Sequence, residues 1–310
     1  MLFERIMDRR KFIKYQLQGA LWLAAGTGLY FTPDGFSEAV PDIAEVIGSR
    51  KAATRAAVDL LGGMKKFVKP GNRVLIKPNM SFPSSPEMGT NTHPEVVYEL
   101  AAMCKEAGAG KILILDNTLG PPEACLQQSG IRDICRSIDE NMVYAINEDE
   151  YYKKISIQKA VTKSTMEIAK EALKSDVLIA VPVAKSHSAT GVSLSMKGMM
   201  GLINDRSSMH WQGLSSGIVD ICTILKADLT VIDGSRVLTT NGPRGPGKVV
   251  IKNTIIASRD MVAADAHAIS IFEWYGKKFE PRQVAHILEA HKRGFGRMDV
   301  ENLSIKKVVL

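Results

Sequence analysis

The sequence predicts an α/β protein with a mostly parallel sheet and helices on both faces, in Rossmann-like layering. Three observations predict it. Four short runs, within "RVLIK", "KILILD", "DVLIAVP" and "DLTVID", are continuously apolar rather than alternating, which is what strands covered on both faces require. A helical pattern of the right length lies between the first two runs, and strand–helix–strand at that spacing favours parallel strands. Each run also ends in polar residues, at the carboxyl edge where open α/β sheets hold ligands.

The elements follow in order. "SRKAATRAAVDLLGGMKKF" is a helix with its apolar positions at Ala53, Ala56, Ala57, Leu60 and Leu61. "NRVLIKPN" is a buried strand stopped by Pro78. "THPEVVYELAAMCKEAGAG" is a helix that Thr92 or His93 caps, that Pro94 suits in its first turn, and that Gly108 or Gly110 ends. "KILILDN" is the next strand, and helices are expected around residues 122–138 and 164–174. "DVLIAVP", "DLTVIDG" and "VVIKNTIIAS" are the third, fourth and fifth strands. "RDMVAADAHAISIFEWYG" and "PRQVAHILEAHKRG" are late helices, and "LSIKKVVL" is a candidate edge strand. Residues 140–160 are polar and carry no clear period.

The N-terminus has its own logic. "RRKFIK", from Arg9 to Lys14, resembles the core of a twin-arginine export signal. The mild apolar run over residues 17–31 is shorter than the roughly 20 apolar residues of a spanning helix. Ser37-Glu38-Ala39 offers small residues where a signal peptidase reads. Residues 1–39 are therefore read as a twin-arginine signal peptide, with Met7 as a candidate start. A retained signal acting as an anchor and a basic amphipathic helix are the alternatives. Residues 40–310 form the expected single α/β domain, placed in the periplasm or otherwise outside the cytoplasm, with the twin-arginine translocase as a partner.

Composition narrows the ligand. Residues 40–310 keep 35 of the 40 Lys and Arg and 29 of the 33 Asp and Glu. That modest positive balance suits a small acidic ligand or an anionic membrane surface. Basic runs interleaved with aromatics are absent, which argues against nucleic acid. The four cysteines, Cys104, Cys125, Cys135 and Cys222, match neither zinc pairs nor ferredoxin runs. They read as buried thiols, with Cys125–Cys135 as a weaker candidate disulfide.

The strand ends supply the candidate site. The first runs into Lys77-Pro78-Asn79, the second into Asp116-Asn117, the third into Lys185-Ser186-His187, and the fourth into Asp233-Gly234-Ser235. Singly, such residues are often turn formers or helix caps; four parallel ends would bring them together. The segment after the third strand is expected to loop through His187 and enter a helix near Ser193. On it, Met196, Met199, Met200 and Ile203 make an apolar stripe, beside a stripe of Ser193, Lys197, Gly201 and Asn204. A lysine one turn from a glycine suggests a ligand close to the backbone, with the helix start adding partial positive charge; a snorkelling surface lysine is the alternative. Asp265 stands on an apolar helix face and must be paired, bonded or protonated. "GPRGPGK" fits G-x-x-x-x-G-K, but Val249 replaces the magnesium-binding Ser or Thr and a strand follows, so it reads as a turn and a candidate lid.

These pieces together resemble the uncharacterised domain of unknown function 362 family: "VLIKPNM", "THPEVVYELAAMCKEAGAGKILILDN", "AKSHSATGVSLSMKGMMGLI" with His210 after it, "DLTVIDGSRVLTTNGPRGPGK" and "IIASRDMVAADAHA", across about residues 72–270. The resemblance implies an α/β fold and no assigned reaction. Many members carry a ferredoxin-like domain with two iron–sulfur clusters; this chain lacks those cysteine runs, so cluster binding does not carry over.

Three functions compete, in this order. The first is binding or conversion of a small anion: Lys77, Asn79, Lys185, Lys197 and Asp233 bind it, His187 or His210 moves a proton, and Asp265 or Asp233 orients that histidine. The second is a redox or cofactor-maturation partner related to the cluster-bearing members, working with a redox partner protein. The third is a metal-dependent enzyme using His187, His210 and Asp233 or Asp265.

Overall fold

In chain order the elements are β1 (Ile43–Ile47), α1 (Arg50–Leu60), β2 (Arg73–Pro78), α2 (Pro94–Glu106), β3 (Lys111–Asp116), α3 (Pro122–Ser129), α4 (Ile131–Cys135), β4 (Val143–Ala145), β5 (Tyr152–Ser156) and β6 (Thr165–Ala169). Next come α5 (Lys170–Lys174), β7 (Val177–Val181), β8 (Val183–His187), β9 (Gly191–Ser193), α6 (Ser195–Gly198), α7 (Leu214–Ile224), β10 (Leu229–Leu238) and β11 (Val249–Ser258). The chain closes with α8 (Met261–Ile271), β12 (Glu273–Trp274), β13 (Lys277–Lys278), α9 (Ala285–Lys292) and β14 (Ile305–Val309). This computed structural model describes residues 39–210 and 213–310, without the side chain of His210. The twin-arginine reading of residues 1–39 thus lies almost wholly outside the described residues.

The main sheet runs β14-β1-β11-β10-β7-β2-β3-β4. From β10 to β4 every neighbouring pair is parallel, whereas β11 is antiparallel to both β10 and β1. The four predicted strands are therefore parallel neighbours with their carboxyl ends on one edge. Alternate residues feed two cores. Leu75, Leu113, Leu178 and Ile232 pack with α6 to α9, while Val74, Ile76, Ile114, Ile179 and Val231 pack with α1, α2 and α4. Burial on both faces is why these strands read as unbroken apolar runs. At the end of the sheet, β14 pairs with β1 in parallel, and its other side is the edge.

His93 is the N-cap of α2, its ring accepting the Glu95 N–H at 3.2 Å. Four expectations are corrected. Residues 165–169 form a strand rather than a helix start, because Met166 and Ile168 point inward while Thr165 and Glu167 are exposed, a period of two; β6 pairs in a separate hairpin with β5, which lies inside the stretch that carried no clear period. Lys185, Ser186 and His187 lie on a strand, not a loop, opposite Ser193, Val192 and Gly191. The helix after them begins at Ser195 and gives way to a 3-10 turn over Met199–Leu202. Asp265 sits on a helix buried nearly all round, from Met261 to Ile269, rather than on one apolar stripe.

All four cysteines are buried and free. Cys125 Sγ donates to the Ser81 carbonyl at 3.4 Å, away from Cys135, and burial pushes the Cys104 and Cys135 thiols up to about 12. No helix among the described residues is long and apolar enough to cross a membrane.

Candidate functional site

Beyond the carboxyl ends of β2, β3 and β7 lies a cavity of about 360 Å³. Lys77 and Asp116, from the ends of neighbouring strands, form its floor as an ion pair, Nζ to Oδ1 3.0 Å, with side chains 1 and 0 % exposed. Asp116 Oδ2 also accepts the Met80 N–H at 3.0 Å and the Ser81 hydroxyl at 2.7 Å, and Lys77 donates to the Pro78 carbonyl. Asn79 supports this corner by accepting the Val183 N–H at 3.0 Å, tying β2 to β8.

Three more cations face the same space. Lys185 donates to the Thr90 carbonyl at 2.6 Å and stands 5.2 Å from the centre of the Phe82 ring. Arg206 donates to Asn117 Oδ1 at 3.0 Å and to the Thr118 carbonyl at 3.2 Å. Lys197, half-buried on α6, has no hydrogen-bond or ion-pair partner among the described residues. His187 lines the cavity as well, its Nδ1 accepting the Ala189 N–H at 3.1 Å. On the rim, Pro243 of the "GPRGPGK" turn forms part of the wall, and the turn is pinned by the bond from Gly242 N–H to Ser186 Oγ at 3.0 Å.

The electrostatics follow from this crowding. Burial is the largest influence on all four cations and lowers each, because a charge loses its hydration. Asp116 partly opposes this for Lys77, Lys185 and Arg206. Lys185 is brought to about 7, with Lys197 and Lys77 adding repulsion, and Lys197 to about 8, with Arg206 adding its own.

Of the residues singled out in the sequence, Lys77, Asn79, Lys185, His187 and Lys197 meet in this cavity. Asp233 does not. It accepts the N–H groups of His93 at 2.8 Å and Ser235 at 3.0 Å, and lies 3.8 Å from Arg236. Asp265 is also elsewhere engaged: its two oxygens accept the N–H groups of Ser195 at 2.9 Å and Met196 at 3.0 Å, capping the first turn of α6. The positive end of that short helix thus meets a carboxylate of the protein itself. The side chain of His210 lies outside the described residues. Among the described residues no group of three or more His, Cys, Asp and Glu stands close enough to share a metal ion, and both aspartates of the metal reading are occupied by backbone donors.

The predicted stripe divides. Ser193, Lys197 and Gly201 line the cavity, whereas Asn204 turns to Asp149 and Glu167 at 2.9 and 3.0 Å. Gly201 serves the ion pair rather than a ligand, since a Cβ there would lie 2.1 Å from Asp116 Oδ1 and 2.5 Å from Lys77 Cε. The glycine that opens onto the cavity is Gly198, where a Cβ would meet only Pro182 Cβ at 4.0 Å. Arg206 and Phe82 were not anticipated. Both sit in irregular segments, where no period marks a residue's direction.

A larger cleft, about 430 Å³, runs between β6 and residues 203–209. There Lys163 is already bonded to Asp205 at 3.2 Å and to Ser208.

Comparison with known proteins shows what the chain is similar to. The chain is 28% identical over 234 residues to the thylakoid-associated protein sll1697 of Synechocystis sp., covering 70% of this chain and 68% of that one. A solved structure, the lactate racemase apoprotein of Thermoanaerobacterium thermosaccharolyticum, aligns with a TM-score of 0.42 at 14% identity, covering 71% of this chain and 54% of that one. A family model described as a domain of unknown function (DUF362) matches residues 74–270. That span begins in β2 and ends in α8, so it holds every residue found to line the cavity, and the chain belongs to this family.

Proposed function

We propose that the cavity binds, and the protein carries or converts, a small anion of the carboxylate or phosphate class. One observation supports this reading above the rest. Lys77, Lys185, Lys197 and Arg206 bring four cations to one small cavity in which Asp116 is the only carboxylate among the described lining residues. Like charges held close in a poorly hydrated space repel, and an anion there relieves them all at once.

Calorimetry with sulfate tests it, because sulfate keeps its charge across the relevant pH range. Wild-type protein should bind saturably. Lys197→Met removes one charge-assisted bond worth about 1.5–3 kcal/mol, so affinity should fall roughly ten- to a hundredfold with little change in melting temperature. The pH dependence has a definite sign. Lys185, at about 7, and Lys197, at about 8, are cationic below those values and neutral above them, so sulfate affinity should drop as pH rises through 7 to 8. Equal binding by parent and Lys197→Met, or a flat pH profile, would count against the site.

We further propose export by the twin-arginine route, on the strength of "RRKFIK". Replacing Arg9 and Arg10 with lysine should hold the protein inside the cell; undiminished export of the double-lysine form would overturn the proposal.

A further inference from the structure

Three of the four cations in the cavity are held in place by the protein. Lys77 is tied to Asp116 and the Pro78 carbonyl, Lys185 to the Thr90 carbonyl, and Arg206 to Asn117 and the Thr118 carbonyl. Lys197 is not tied in this way among the described residues. The wall beside it is open, because the next residue is Gly198 with nothing but Pro182 Cβ within 4.0 Å of where a Cβ would stand. One further buried group feels its charge. His286 on α9 is 1 % exposed, and neither ring nitrogen has a hydrogen-bond partner. Burial, then the nearby Lys197 charge, holds that imidazole neutral, down to about 3. Among the described residues, the groups acting on Lys197 are thus the cations Arg206 and Lys185 and a neutral histidine, with no carboxylate paired to it.

A lysine kept among cations in a partly dry cavity is poorly suited to be a permanent charge and well suited to be a nucleophile, because only the neutral amine carries a lone pair. With its proton affinity brought to about 8, on the order of a tenth of the amine is neutral at pH 7. We propose that Lys197 forms an imine with a small 2-oxo acid, whose carboxylate is held by the neighbouring cations while its carbonyl carbon faces Nζ. This rests on the anion-binding reading and goes further, by naming the ligand class and the bond made. The apolar side of the cavity, Phe82, Leu119, Met200 and Pro243, accommodates the rest of such an acid.

The step balances without any oxidant or reductant. The Nζ lone pair adds to the carbonyl carbon, and the carbonyl oxygen takes up a proton to give a carbinolamine. Nζ releases its protons, the hydroxyl takes one more and leaves as water, and a C=N bond remains. Amine plus ketone gives imine plus water. Lys185, whose proton affinity lies near neutrality, and His187 both line the cavity and are the side chains available to pass these protons.

Borohydride reduction tests the proposal. The whole protein is incubated in turn with pyruvate, 2-oxobutyrate and phenylpyruvate, reduced, and analysed by intact mass and peptide mapping. The expected result is one reduced adduct per chain with at least one of the three acids, mapped to Lys197. With the acid at saturating concentration its yield should rise from pH 6 to about pH 8, as Nζ loses its proton, opposite to the trend for sulfate affinity. Lys197→Arg, which keeps a cation and removes the nucleophile, should give no adduct. Three outcomes overturn the imine: no adduct with any of the acids, adducts spread over surface lysines, or an undiminished single adduct in Lys197→Arg. If sulfate still binds in those cases, the anion site stands and only the imine falls. If sulfate also fails to bind, both fall.

Discussion

Gly201→Ala should melt on the order of 10 °C below the parent and lose its sulfate binding. Helix propensity alone predicts the reverse, since alanine is favoured over glycine by about 1 kcal/mol in a helical turn. The space around Gly201 decides the matter. A Cβ would stand 2.1 Å from Asp116 Oδ1, 2.5 Å from Lys77 Cε and 2.7 Å from Lys77 Nζ. None of these atoms is free to move: Asp116 holds Met80 and Ser81 through its other oxygen, and Lys77 is 1 % exposed. The methyl group must therefore prise the ion pair apart, and breaking a buried pair costs about 3–5 kcal/mol. The cavity floor goes with it. Gly198→Ala is the matched control, because its Cβ has open space, and its stability should stay within about 1 kcal/mol of the parent. Thermal melts of the two variants with sulfate calorimetry decide it; a Gly201→Ala protein that melts and binds like the parent would show that the pair tolerates the intrusion.

Asp265→Ala should cost about 3 kcal/mol without touching the cavity walls directly. The carboxylate is fully buried and is the acceptor for both Ser195 and Met196 N–H groups, so its removal leaves two buried donors unsatisfied, at about 1–3 kcal/mol each before relaxation. The same residue predicts a pH effect. Burial raises its carboxyl to about 7, and the backbone donors only partly oppose this. In the unfolded chain an aspartate titrates near 4, so between about 4 and 7 the folded protein holds the extra proton. The stability from this group is complete below 4 and is lost as pH rises through 7. The buried lysines have the opposite sign: their lowered values mean that the unfolded chain binds more protons, and stability grows as pH rises past 7 to 8. The difference between wild type and Asp265→Asn isolates the aspartate. The gap in melting temperature between them should narrow, or change in favour of the asparagine form, from pH 5 to pH 8. Parallel curves for the two proteins would show that Asp265 titrates as an ordinary carboxylate.

The fold was legible where local pattern and tertiary burial agree. Leu75 and Ile76 face opposite cores, so their strand reads as unbroken apolar sequence, and the edge rule for parallel sheets then places Lys77, Lys185 and His187 together. Illegible features depend on partners far along the chain. Strand β1 carries Glu45 in a buried row, a poor strand signal until His267 at 2.9 Å and Lys307 at 2.7 Å are seen to hold it. Helix α6 starts at Ser195 because Asp265, 70 residues on, supplies its cap. Gly201 suggested room for a ligand, and only the position of Asp116 reveals that the room is already taken. Arg206 lies in an irregular segment between two 3-10 turns, Met199–Leu202 and Ser208–His210, where no sequence period says which way a side chain points.

The pairing of β1 with β14 sets an order in time. Asp42 and Ser304, which clamp the start of this pair through backbone and side-chain bonds, lie 262 residues apart. At the usual pace of synthesis, about 5–20 residues per second, the partner of β1 emerges roughly 13–50 s after β1 itself. Until β11 emerges β1 has neither of its partners, and until β14 emerges one of its flanks remains an open strand edge, and open edges recruit other chains. The nascent protein therefore passes through a sticky stage that local folding cannot shorten. Docking of this five-residue strand, Ile305–Val309, is what closes that flank of β1.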